Sequence, residues 1–255
     1  MTTVAFVGKG GVGKTSLAAE LVRYLVEHKA GSVLAVDADP NHNLDLALGM
    51  EVKKTIADLR DDVMRQALKI PPGMSKERLI EYGVFEALVE ADGFALLTMG
   101  RPEGPGCYCY VNHVLRRVLE VLVKDYDYVV MDCEAGMEHL NRRTTHDVDL
   151  LVVVCQPTRA SVVAAERIAY ITEKLPIGIK RMCAVLNMLH SEAPKAVVEK
   201  IKAIPLEIAV EIPYTSAEVE PGNLWRSISG LARLWDSIRR RLSDMPGTVN
   251  RRNTA

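Results

Sequence analysis

The chain has 255 residues, 48% hydrophobic and 25% charged, with 32 basic against 33 acidic side chains. Those proportions suit a globular protein with one sizeable core. They exclude a disulfide framework (five cysteines, an odd number), and a net charge of −1 with no dense basic run argues against a polyanion-binding surface.

In chain order, short apolar runs alternate with helical patterns. Residues 3–7 read as a first strand, leading through Gly8–Thr15 into a helix carrying Leu17, Leu21, Val22 and Leu25. A second strand spans 33–37. The stretch 54–90 reads as a helical insertion, two helices with Pro71-Pro72-Gly73 between them. Strand 94–99 follows, then an amphipathic helix over 111–123 with Val111, Val114, Leu115, Val118, Leu119 and Leu122 on one face. Further strands are expected at 128–132, 150–155, 182–186 and 208–212. A helix with Leu231, Leu234, Trp235, Ile238 and Leu242 inward and Arg239–Arg241 solvated comes last. Strands apolar throughout imply a sheet covered on both faces, hence parallel strands joined by helices. The expected fold is α/β, a single doubly wound, mainly parallel sheet over residues 1–245, with a polar tail at 246–255. The longest apolar run, residues 150–155, is far below the ~20 residues a membrane span needs, and no secretory leader is apparent. A cytoplasmic chain with reduced thiols, bound to neither membrane nor nucleic acid, is expected.

The strongest motif is Gly8-Lys9-Gly10-Gly11-Val12-Gly13-Lys14-Thr15, matching G-x-x-x-x-G-K-[ST] between a strand and a helix. The fold class is therefore that of the P-loop NTPases. Glycines let successive N–H groups turn toward phosphates, and the helix that follows adds its positive end. Backbone groups from Lys9 through Gly10, Gly11, Val12, Gly13, Lys14 and Thr15 to Ser16 are expected to hold ATP or ADP. Lys14 should reach the β- and γ-phosphates and Thr15 should bind Mg²⁺.

Ligands in such sheets lie at the carboxyl ends of strands. Asp37 and Asp39 end the second strand and Asp132 the fourth. Beside a phosphate loop, Asp132 is the natural carboxylate for the Mg²⁺ shell. An Asp before Pro or Gly also forms turns readily.

Cys107-Tyr108-Cys109 follows Gly104-Pro105-Gly106. In extended backbone, residues two apart point the same way, so both sulfurs could meet one ion, or the pair could simply pack. Two thiolates are half of a four-ligand shell, and a two-fold axis through a homodimer would supply the other half. Soft thiolates take Ni²⁺ and Zn²⁺ alike. Cys133, Cys155 and Cys183 sit on or beside apolar strands and read as core.

Lys9, between glycines, resembles the signature lysine of the deviant Walker A ATPases, the MinD, ParA and nitrogenase iron protein class. That resemblance implies that Lys9 crosses a face-to-face dimer to the partner's nucleotide. It implies that Asp39, in switch I, orients the attacking water, that Asp37 supports Mg²⁺, and that Asp132 lies in switch II. It also implies adenine contacts from Asn187, Pro213 and Tyr214. The loop, the Asp37-Ala38-Asp39-Pro40-Asn41 segment, the stretch 106–113 and the stretch 132–140 together resemble the CooC-type ATPases, which assist nickel insertion into carbon monoxide dehydrogenase. AcsF, a relative, serves acetyl-CoA synthase. The resemblance implies slow Mg·ATP hydrolysis coupled to dimerisation and to delivery of Ni²⁺ from Cys107 and Cys109 of both subunits. A MinD- or ParA-type spatial regulator is the competing class. Its membrane helix is not matched by the polar tail, nor its DNA-binding surface by the charge balance.

Overall fold

The computed structural model describes residues 1–65, 75–100, 120–133, 148–174, 178–190, 192–204, 206–214, 226 and 228–240. Strand β1 (Thr2–Val7) leads into helix α1 (Lys14–Glu27), and β2 (Val33–Asp37) into the short α2 (Leu44–Leu48). Helices α3 (Ile56–Arg65) and α4 (Lys76–Ala87) precede β3 (Leu88–Ala91) and β4 (Phe94–Thr98). Next come β5 (Tyr128–Asp132), β6 (Val148–Cys155), α5 (Arg159–Thr172) and β7 (Ile179–Leu189). Helix α6 (Lys195–Ala203), β8 (Glu207–Pro213) and α7 (Ser229–Arg239) follow.

The strands form one sheet in the order β3-β4-β2-β5-β1-β6-β7-β8. Every described pairing is parallel except β3 with β4. Alternation along each strand feeds two cores, because side chains two apart share a face. Ala5, Val7, Leu151 and Val153 join the core under α3, α4, α5 and α6. Val4, Phe6, Val152 and Val154 face the other core, with Leu17, Leu21 and Leu25 of α1 and Leu231, Leu234 and Trp235 of α7. Phe6 meets Trp235 edge to face, ring centroids 6.1 Å apart. This is the doubly wound sheet that the apolar strands imply.

Three details differ from the sequence reading. The insertion contains helices α3 and α4, yet its last residues form β3, an antiparallel edge strand too short and too exposed to stand out as an apolar run. Arg239 is half-buried rather than solvated: it pairs with Asp236 at 3.0 Å, and its carbonyl accepts from Tyr128 Oη at 2.6 Å. Strands β6 and β7 start earlier than expected, at Val148 and Ile179. Most of the expected helix over 111–123, Pro71-Pro72-Gly73, Arg241, Leu242 and the 246–255 tail lie outside the described residues.

Candidate nucleotide site

The sheet order brings chain-distant residues into one row along the carboxyl ends of the strands: Asp37 (β2), Asp132 (β5), the loop after β1, the residue after β6, Asn187 near the end of β7, and Pro213 and Tyr214 at the end of β8. Gly8–Thr15 is that central loop. Gly8 and Gly13 are sterically required: a Cβ on Gly8 would strike the Val154 carbonyl and one on Gly13 the Asn187 amide, and Gly13 has φ +94°. Gly13 also precedes α1 without any side-chain cap, and no acidic residue lies in the first turn. The first N–H groups of α1 are thus left for an anion. Lys14 is buried and donates Nζ–H to the Lys9 carbonyl at 3.3 Å. Lys9, Gly10, Gly11 and Ser16 are exposed, and Val12 is buried.

Thr15 Oγ1 donates to Asp132 Oδ2 at 2.5 Å, which joins the two residues expected at Mg²⁺. Asp132 is 1% exposed, and its Oδ1 has no hydrogen-bond partner among the described residues. Burial lifts its pKa to about 7, with Asp37 and Asp39 adding and the Thr15 hydrogen bond and Lys14 opposing. A buried carboxylate with an open oxygen beside a hydroxyl is a donor set that suits Mg²⁺ and its waters. Asp37 is used differently. Its Oδ2 accepts from Leu44 N at 2.8 Å and Oδ1 from Asp39 N at 3.1 Å, so it ties down the loop that carries Asp39. Burial raises its pKa to about 6, against those two hydrogen bonds. Asp39 is half-buried, with Oδ1 accepting from Asn41 N at 2.9 Å.

Asn187 is buried and donates Nδ2–H to the Val12 carbonyl at 2.8 Å, so its amide nitrogen grips the phosphate loop. Tyr214 is exposed and stacks on His190, centroids 4.5 Å apart, while its N–H bonds to the Leu189 carbonyl. Sequence reading missed His190 and also Gln156, whose Nε2 lies 3.3 Å from the Gly11 carbonyl. Gln156 directly follows strand β6, so the strand-end rule that selects Asp132 would have found it. Cys107, Cys109 and the stretch 134–147 that follows Cys133 lie outside the described residues. Cys133, Cys155 and Cys183 are buried free thiols whose pKa values burial pushes up, and they are core residues as expected. Among the described residues, no cluster of three or more His, Cys, Asp or Glu could hold a metal ion. No helix among them is long and apolar enough to cross a membrane.

The fold and loop define an ATP-binding P-loop ATPase with the architecture of the MinD/ParA proteins. The family model AAA_31, described as an AAA domain, matches residues 1–180, and the chain belongs to that family. It is 40% identical over 219 residues to an uncharacterised ATP-binding protein of Methanocaldococcus jannaschii, covering 85% of this chain and 86% of that one. The carbon monoxide dehydrogenase accessory protein CooC of Rhodospirillum rubrum is 32% identical over 225 residues, 84% of each chain. Among solved structures, the MinD cell division protein of Aquifex aeolicus superposes with a TM-score of 0.66 at 21% identity, over 97% of this chain and all of that one.

Proposed function

We propose that this ATPase is a nickel-insertion factor for carbon monoxide dehydrogenase, a cytoplasmic homodimer that carries the metal on Cys107 and Cys109 of both subunits. The observation that carries the reading is the 32% identity to the accessory protein CooC across most of both chains, in a chain that also has the Cys107-Tyr108-Cys109 pair. In this reading, the loop residues Lys9 to Ser16 bind ATP, and Thr15 and Asp132 hold Mg²⁺ with Asp37 organising the shell. Bound Mg²⁺ would neutralise charge on the β- and γ-phosphates. Lys14 stabilises the charge that develops on transfer, and Asp39 orients the attacking water. Lys9 reaches the partner subunit's nucleotide, so ATP favours a closed dimer. Asn187, Pro213 and Tyr214 form the adenine side of the pocket. Closure sets the four sulfurs around one ion, Ni²⁺ or Zn²⁺, and hydrolysis releases it to the client.

An AcsF-like role toward acetyl-CoA synthase fits the same site, and the client separates the two. A MinD- or ParA-type spatial regulator would share the loop and fold, as the likeness to MinD illustrates. The test is metal binding. Equilibrium dialysis with Ni²⁺ and Zn²⁺ should give one ion per dimer in the wild type. The double variant Cys107→Ser, Cys109→Ser should bind nucleotide normally and carry no stoichiometric metal. Binding by neither protein, or equally by both, removes the nickel reading. Nickel-dependent activation of carbon monoxide dehydrogenase, but not of acetyl-CoA synthase, would fix the client.

A further inference from the structure

Two carboxamides hold consecutive carbonyls of the phosphate loop. Gln156 Nε2 donates to Gly11 O at 3.3 Å, and Asn187 Nδ2 donates to Val12 O at 2.8 Å. A trans peptide sets its C=O and N–H on opposite sides. Drawing these two carbonyls toward the ends of β6 and β7 therefore turns the N–H groups of Val12 and Gly13 away from those strands.

Gln156 is itself firmly seated. Its backbone N–H donates to Ser161 Oγ at 2.9 Å, and its carbonyl accepts from Thr158 N at 2.7 Å. Its second amide hydrogen faces Met188 Sδ at 2.9 Å, and Met188 holds a left-handed backbone, φ +59°. Gly11 and Gly13 of that loop sit at φ +77° and +94°, and because glycine samples many conformations, bonds from outside the loop help select this one.

We infer that Gln156 is a positioning residue for ATP hydrolysis: it pre-forms the phosphate loop through the Gly11 carbonyl and so sets affinity for the phosphates without acting on the reacting atoms. The inference rests on the reading of Gly8–Thr15 as the phosphate loop. A tether of this kind lowers the ordering cost of binding, and its loss is felt before chemistry begins.

The experiment compares wild type, Gln156→Ala, Gln156→Met and Lys14→Ala. Gln156→Met keeps the length of the side chain and lacks the donor. Affinities for Mg·ADP and for inorganic tripolyphosphate are measured by calorimetry, together with KM and kcat for Mg·ATP. A lost neutral hydrogen bond corresponds to a weakening of about 3- to 10-fold. Both Gln156 variants should show it for ADP and tripolyphosphate alike, with a matching rise in KM and a much smaller change in kcat. Wild-type affinity in Gln156→Met would reduce Gln156 to a packing residue and overturn the inference, as would wild-type tripolyphosphate affinity in both variants. Lys14→Ala reports separately: if it binds tripolyphosphate as tightly as wild type, the phosphate-loop reading itself fails.

Discussion

Asp37 and Asp132 face each other as register partners on the adjacent parallel strands β2 and β5, and both carboxyls are buried. Two carboxylates so placed resist ionisation together, because burial penalises each charge and each charge penalises the other. Asp37 spends its oxygens on backbone N–H groups of its own loop, whereas Asp132 keeps one oxygen open. That asymmetry separates a carboxyl that ties down its own loop from one that keeps an oxygen open for a ligand.

Their titration fixes a pH dependence. Both folded-state pKa values, about 6 for Asp37 and about 7 for Asp132, lie above the ordinary value of 3.8. The contribution of these groups to folding is therefore complete below about pH 4 and is lost as pH rises through 6 to 7. The nucleotide-free protein should lose on the order of a few kcal/mol from this pair between pH 4 and 8. Urea midpoints at a series of pH values, in wild type and Asp132→Asn, measure it. The variant should show a flatter slope, and Mg·ADP should flatten the wild-type slope. Parallel slopes would refute the assignment.

If Asp39 orients the attacking water as proposed, Asp39→Ala, which also gives up the bond from Asn41 N, should bind ATP almost as wild type does and lose turnover on the order of 10²–10⁴-fold. Thr15→Ala should instead lose its response to Mg²⁺ in both binding and rate. Phosphate release assays across a Mg²⁺ titration distinguish the two, and unchanged turnover in Asp39→Ala would remove its role.

Lys9 is exposed, and its carbonyl accepts from Lys14 Nζ inside the loop. Lys9→Ala should keep nucleotide affinity within a few-fold and fail to form the ATP-dependent dimer. Light scattering at several protein concentrations, with and without ATP, gives the answer. A variant that dimerises like wild type rules out the cross-subunit contact.

Trp235 is fully buried against Phe6, and its Nε1 has no hydrogen-bond partner among the described residues. Trp235→Ala should cost about 3–5 kcal/mol by denaturant unfolding, the range for deleting a large core aromatic. Trp235→Phe should cost much less, because it also removes an unsatisfied buried N–H. Equal losses would mean that the indole nitrogen is satisfied after all.

Sequence legibility followed burial. Residues 150–155 and 128–132 could be read as strands because both faces of the sheet are covered there, leaving no charged position before the strand end to blur the pattern. Leu88–Ala91 could not, since its last two residues are exposed and it continues directly from the helical pattern of α4. The phosphate loop was legible because its glycines and Lys14 occur at fixed spacing. Asp37 was legible as a strand-end carboxylate, but its two backbone bonds depend on how the chain folds back at Leu44. Gln156 and Asn187 sit at strand ends, but their partners could not be read: these are loop carbonyls more than 140 residues away, brought near only by the strand order.

Strand β1 is bonded to β5 on one side and β6 on the other from Val4 to Phe6, with a core on each face. Its amide protons can be reached by solvent only when the sheet as a whole opens. A few residues later the chain becomes the exposed stretch Lys9 to Gly11. Deuterium uptake should therefore step abruptly from the slowest-exchanging amides of the molecule to fast ones within one short peptide. The step marks where a rigid frame hands over to a solvent-exposed ligand loop.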